Sequence, residues 1–277
     1  MGTACSPRQR LADLAALPDE RIDLAEAALL IAAEEYPGLD LGAYMGRLDS
    51  LAEGARGAVA GARSGEQRAR RLLHYLSVEQ RFTGNQNDYY DPRNSFLNDV
   101  LDRRTGIPIT LALVYVEVAR RVGLPVHGVG FPGHFLAKYA AESDVLIDPF
   151  FGRILDERQC LQRLRSIYGP RARLEPRFFR AAQPREILIR MLGNLKHVYL
   201  KTKSFESALT CCERILLLAP DVAHEVRDRG LLYEQLECHR AAQVDLERFL
   251  ELAPDDPTAD IIRAELVEIR RRASRLH

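Results

Sequence analysis

The C-terminal part of the chain repeats itself at an interval of 34 residues. Tyr199 returns as Tyr233, Ala208 as Ala242, and Ala219-Pro220-Asp221 as Ala253-Pro254-Asp255. A recurrence of this length admits few folds, because each period must be one supersecondary unit that buries its apolar face against its neighbour. Small Ala208 and Ala242 let paired helices approach closely, the tyrosines fill the space between them, and Pro220 and Pro254 end the second helix of each unit. Two units fall short of the roughly three that usually stand alone, so they are expected to lean on the preceding sequence. ADIIRAELVEIRRRA is expected to be a capping helix.

Thirty-four residues is the tetratricopeptide period, whose commonest role is protein contact. Residues 184–277 are therefore the expected surface for a protein partner; the rival reading is that the helices only stabilise the fold. Two domains are expected, 8–183 and 184–277, in line with a chain of 277 residues. Residues 8 to about 76 form a helical layer: Leu24, Ala27, Ala28, Ile31 and Ala32 share one helical face with Asp23 as a cap, and Leu41, Tyr44, Met45, Leu48 and Leu51 repeat the pattern.

At Phe82 periodicity stops. FTGNQNDYYDPRNSF is polar, aromatic and rich in turn residues, which predicts an ordered loop. Asn94 or Ser95 is expected to cap the next helix, SFLNDVLDRR. Gly106 to Pro108 then breaks the chain ahead of an apolar helix from Ile109 to Val122, expected to be buried on most sides. Beyond Pro125 the period shortens to two, and VHGVG, HFLAKY and VLIDPF read as short strands. Sequential short strands favour an antiparallel meander, with AAESD as one connection. The fold class is α+β.

Lys plus Arg and Asp plus Glu both total 39, so no global field draws the chain to nucleic acid or to anionic lipid. No stretch reaches the roughly 20 apolar residues needed to span a bilayer, and the acids from Asp13 to Glu26 interrupt any leader-like run at the start. Gly2 with Ser6 imitates an acylation signal, although glycine after the initiator methionine is common. The five cysteines show no metal-type spacing, and a reducing, cytoplasmic setting is expected. No cofactor and no metal are expected.

His134 and Asp148 are the residues that suggest chemistry. Fourteen positions apart on adjacent antiparallel strands, they can face one another, and the aspartate can fix the imidazole tautomer as the third member of a triad does. A nucleophile would approach best from the N-terminus of the buried helix, where free N–H groups and the helix dipole favour a thiolate. That turn reads Gly106-Ile107-Pro108-Ile109-Thr110. It holds no cysteine, and Thr110, its one hydroxyl, is expected to bond within its own helix. Taken singly, His134 reads as a satisfied interior histidine, Asp148 before Pro149 as a turn former, and His127 as a surface residue. Glu79, Asn85, Asn87, Asp88, Tyr89, Tyr90 and Asn94 form a second cluster, which lines a cleft or hydrogen-bonds its own backbone. Glu79, Asn85, Tyr89, Asn94, Pro108 and Thr110 are the candidate pocket-lining residues.

RFTGNQNDYYDPRNSFLNDVLDRRTGIPITLALVY, GFPGHFLAKY and LIDPF, followed by paired tetratricopeptide units, resemble a bacterial family of transglutaminase-like proteins associated with a regulator of invasion genes. The resemblance covers about residues 35 to 270. It implies a papain-like core in which a helix-borne cysteine, a strand histidine and a strand aspartate act on peptides or glutamine amides. It places His134 on the histidine, Asp148 on the aspartate, and Pro108, within a residue, where the cysteine stands. The chain is thus expected to be a catalytically divergent member serving interaction or regulation. The alternative is a hydrolase or amide-transferring enzyme using His134 and Asp148 with a non-standard nucleophile or water. Cys160, beyond Asp148 in the chain, would need an unrelated placement to substitute.

Overall fold

Four helices of the N-terminal layer begin at side-chain caps. Ser6 accepts from the Gln9 N–H at the start of α1 (Pro7–Ala15), Asp23 from Glu26 for α2 (Leu24–Glu35), Asp40 from Ala43 for α3 (Leu41–Val59), and Ser64 from Gln67 for α4 (Gly65–His74). Each cap satisfies an otherwise orphaned donor, a contribution of about 1 kcal/mol. The computed structural model describes residues 6–141 and 144–275. Gly2 and Cys5, and Glu142 and Ser143 of the AAESD connection, lie outside the described residues. The chain divides into two compact units, Met1–Met191 and Leu192–His277.

In the first unit α2 is apolar nearly all round and buried along most of its length, as a central helix must be. α3 runs on through its glycines, and Gly54 shows why one is there: a Cβ would stand 2.1 Å from the Tyr75 hydroxyl. After a π-helical turn at Tyr75–Glu79, two short parallel strands that periodicity does not reveal, β1 (Thr83–Gly84) and β2 (Thr105–Gly106), clasp the ends of the polar loop. Between them lies α5 (Leu97–Arg103). Its start corrects the expected cap: Phe96 holds the cap position without a side-chain bond. Asn94 closes a preceding 3-10 turn instead and gives its amide to the carbonyls of Asp88 and Tyr89.

The buried helix α6 (Pro108–Arg121) starts with proline at its first position, where no N–H is needed. It packs on β3 (Val126–Val129) and β4 (Leu136–Tyr139) of a four-stranded antiparallel meander completed by β5 (Val145–Asp148) and β6 (Arg153–Leu155). The meander matches expectation; β6 extends it. α7 (Glu157–Tyr168) begins at a reciprocal cap between Asp156 and Gln159. Its Cys160 and Leu164 pack with Val129, Leu136, Leu146 and Leu155. Those four side chains mark one face of the sheet, so α7 covers the face opposite α6.

α8 (Pro184–Lys201) runs through the division between the units. The second unit continues with α9 (Phe205–Leu218), α10 (Ala223–Gln235), α11 (His239–Leu252) and α12 (Ala259–Arg275). The 34-residue recurrence holds at the level of single bonds. Ser204 N–H donates to the Tyr199 carbonyl at 2.9 Å and Cys238 N–H to that of Tyr233 at 2.8 Å. Lys203 and Glu237, one before each donor, both adopt the left-handed conformation. Near the start of this unit Lys196 is buried and bonds Glu225 and Asp228 within 2.8 Å.

Candidate functional site

The register of β4 against β5 pairs Ala137 with Ile147 and Lys138 with Leu146. One step further sets Asp148 opposite Leu136, so His134, two residues earlier, comes diagonally to the same face. There His134 Nε2 lies 2.9 Å from Asp148 Oδ1, with both side chains withdrawn from solvent. The same oxygen accepts from the N–H groups of Phe150, at 3.2 Å, and Phe151. The turn-forming and the histidine-orienting readings of Asp148 are therefore both realised, on one carboxylate oxygen.

The other ring nitrogen is occupied as well. Arg163 Nη2, reaching back from α7, stands 2.8 Å from His134 Nδ1. A guanidinium only donates, so Nδ1 accepts and the ring proton sits on Nε2, directed at Asp148. In a working triad the nitrogen not held by the acid faces the nucleophile. Here that nitrogen faces a cation. A second arginine is anchored on the same residue: Arg190 Nη2 donates to the His134 carbonyl at 2.6 Å and to that of Phe131 at 3.3 Å. Aromatic rings frame the group. Phe151 stacks on the imidazole at 6.2 Å, Phe150 meets it edge-on, and Tyr89 meets Phe150 in turn.

Among the sequence-selected residues, Pro108 is buried at the first position of α6. Thr110 is fully engaged in structure, its hydroxyl donating to the Asn94 carbonyl at 2.7 Å and accepting from the Ile107 N–H at 3.2 Å. Asn85 Nδ2 donates to Asn94 Oδ1 at 3.1 Å, and Asn85 Oδ1 accepts from the Asp88 N–H. The loop amides thus bond one another and their own backbone, which leaves Tyr89 as the member brought to the histidine. Its phenol is pushed up by burial and the neighbouring Tyr90, while Arg190 and Arg163 pull it down. Glu79 belongs elsewhere, exposed and 3.8 Å from His74. His127 is on the surface. Among the described residues no three His, Cys, Asp or Glu side chains converge as metal ligands would.

Cys160 lies one helical turn before Arg163 but points into the apolar layer between α7 and the sheet. Burial, with the charges of Asp156, Asp148 and Glu157, pushes its thiol up to about 11. A reactive cysteine needs the opposite shift. Tyr115, on α6, is the interior neighbour that sequence reasoning passed over; burial raises its phenol, and the charge of Asp148 adds to the effect.

Comparison with known proteins agrees with this architecture. Residues 42–193 match the model of the transglutaminase-like superfamily, and residues 195–266 match that of a tetratricopeptide repeat. A UPF0162 protein of Xylella fastidiosa is 40% identical over 95% of this chain and 96% of its own length. UPF0162 protein PA3419 of Pseudomonas aeruginosa is 38% identical over 92% of this chain and 93% of its own. Protein SirB1 of Salmonella typhimurium is 31% identical over 83% of this chain and 86% of its own.

Proposed function

The chain belongs to the transglutaminase-like superfamily and carries tetratricopeptide repeats, and from that premise we propose that it is a protein-interaction or regulatory module with no acyl-transfer activity. The observation that carries this reading is the 2.8 Å contact of Arg163 with His134 Nδ1. General-base catalysis needs a ring nitrogen that can take a proton from the attacking group, and both nitrogens of His134 are committed. Pro108 at the head of α6 brings no nucleophile, and Thr110 and Cys160 are held in structural roles. The same contact counts against the hydrolase reading, since a water would need the same nitrogen.

Tetratricopeptide repeats generally mediate protein contacts, and we assign partner binding to residues 184–277. Val244, Ile261 and Val267 supply exposed apolar side chains on α11 and α12. No helix among the described residues is long and apolar enough to cross a membrane. Buried free thiols at Cys160, Cys211 and Cys212 suit a reducing compartment, and we place the protein in the cytoplasm.

The test is a screen of the purified chain for amine incorporation into glutamine peptides and for ester and amide hydrolysis, beside His134→Ala. Neither protein should turn over any substrate. Turnover by the wild type that His134→Ala abolishes would overturn the reading.

A further inference from the structure

The chain as a whole is electrically balanced, but residues 151–190 are not. This stretch contains ten arginines, no lysine, and four carboxylates (Asp156, Glu157, Glu175 and Glu186), a net of six positive charges. Two of the four are paired with their own neighbours, Glu175 with Arg177 and Glu186 with Arg180. The arginines at the histidine are not so neutralised: among the described residues Arg153, Arg163 and Arg190 form no ion pair with a carboxylate. Asp148, the acid held against the same imidazole, has its Oδ1 taken by the ring and two backbone N–H groups.

Arg163 and Arg190 are both fastened to His134, one on the ring and one on the carbonyl, so both guanidinium groups are positioned by a single residue. Each spends only part of its five donors there. The Nε of Arg163 is buried without a hydrogen-bond partner among the described residues. Burial pulls Arg190 below its usual pKa, and the phenols of Tyr89 and Tyr168 offset only part of that. On the Arg190 side opens a cleft of about 400 Å³ lined by Phe135, Phe178, Arg177, Arg180 and Arg190, with Glu186 as its one carboxylate, already paired with Arg180. Exposed Tyr89 and Phe151 rim the histidine itself, the Tyr89 phenol within the field of both arginines and Arg153 lying over the Phe151 ring at 5.0 Å.

We propose that Arg163 and Arg190, with the Tyr89 hydroxyl, form a carboxylate-binding site that receives an acidic segment of a partner protein. Pre-positioned guanidinium forks match a carboxylate bidentately, and the aromatic rim supplies the apolar contact that hot spots combine with arginine. A nucleic acid fits this surface less well. Single strands need successive ring faces on which bases stack, whereas Tyr89 with Tyr90 and Phe150 with Phe151 pack edge to face at 80° and 79°. The inference rests on the interaction reading above, and gives a second contact surface to a chain whose repeats supply the first.

The test measures fluorescence anisotropy of labelled hexaglutamate, hexaglutamine and decauridylate with the full chain at low and physiological salt. Hexaglutamate should bind, hexaglutamine should not, and Arg163→Gln and Arg190→Gln should each weaken binding at least about tenfold. Arg163→Lys, which keeps the charge but loses the fork, should also weaken it, while exposed Arg68→Gln on α4 should leave it unchanged. Arg190→Gln loses two bonds to backbone carbonyls; if it does not fold, the two Arg163 variants decide the matter, with circular dichroism as the folding control. The proposal is overturned if hexaglutamate fails to bind, if folded Arg163 variants bind it as the wild type does, or if decauridylate binds more tightly than hexaglutamate. Failure to bind, with acyl transfer also absent, removes the carboxylate site and leaves the interaction reading standing. His134-dependent acyl transfer removes that reading whatever hexaglutamate does.

Discussion

Arg163 donates to His134 Nδ1 across 29 positions of sequence, and the contact fixes the state of the imidazole as firmly as Asp148 does from the other side. The order is cation, ring, anion, with the ring proton on Nε2. Long-range nitrogen–proton NMR of the imidazole should therefore show a protonated Nε2 and an acceptor Nδ1. In Arg163→Ala the proton should stay on Nε2, held by Asp148. A wild-type spectrum with the proton on Nδ1 would contradict the arrangement.

Gly84 stands where β1 meets the aromatic frame. A Cβ there would come within 2.4 to 2.5 Å of the Phe150 ring, whose carbonyl already accepts from the Gly84 N–H at 3.0 Å. Gly84→Ala must displace Phe150, the ring that lies between Tyr89 and His134. Urea unfolding should show a loss of about 1–3 kcal/mol, the usual cost of overpacking a filled site. A loss below about 0.5 kcal/mol would mean that the ring yields freely.

Cys160 and Cys238 should differ sharply toward alkylation. Cys238 is exposed, whereas Cys160 is fully buried with its thiol pushed up to about 11. At pH 8 that upward shift leaves roughly a hundredfold less thiolate than an unshifted thiol would hold. Iodoacetamide under native conditions, followed by peptide mass mapping, should label Cys238 and spare Cys160 until the chain is unfolded. Comparable labelling rates would show that Cys160 is neither buried nor inert.

The Lys196 cluster should make the stability of the second unit depend on acid. Burial alone would raise the Asp228 carboxyl, but the bonds from Lys196 and Arg227 outweigh it and hold the group below its ordinary value. A depressed folded pKa contributes stability that is present above the unfolded value, and is lost as pH falls through the folded one. Lys196→Met should cost about 3–5 kcal/mol at neutral pH by stranding carboxylates in the interior. It should also lose less further stability than the wild type between about pH 5 and pH 2. Equal acid losses in the two proteins would show that Lys196 does not set the Asp228 titration.

Much of this was legible in the sequence because it repeats or alternates. Tyr199 and Tyr233 announced the helical pairs, the period-two strands announced the meander, and the fourteen-residue spacing of His134 and Asp148 anticipated their contact. Arg163 and Arg190 were not legible. Nothing in an amphipathic helix says which of its arginines reaches back to the sheet, since that depends on how α7, for Arg163, and α8, for Arg190, pack on the residues around His134. Asn94 misled for a related reason: asparagine suits a helix cap and a loop staple equally, and the choice fell to the carbonyls of Asp88 and Tyr89. β1 and β2, two residues each, are too short to show a period at all.

Their pairing of Thr83 with Thr105 and Gly84 with Gly106 nonetheless has a consequence for how such a chain diversifies. Within the segment so enclosed α5 is fixed in the core by Leu97, Val100 and Leu101, but residues 86–90 are exposed and form a small ring closed by the Asn85–Asn94 bond, whose circumference is weakly constrained: each doubling adds only about 0.6 kcal/mol of closure entropy. The ring that presents Tyr89 is thus free to lengthen, shorten or change its cargo while the helical core beneath keeps its packing. Recognition and architecture can then be altered separately within one chain.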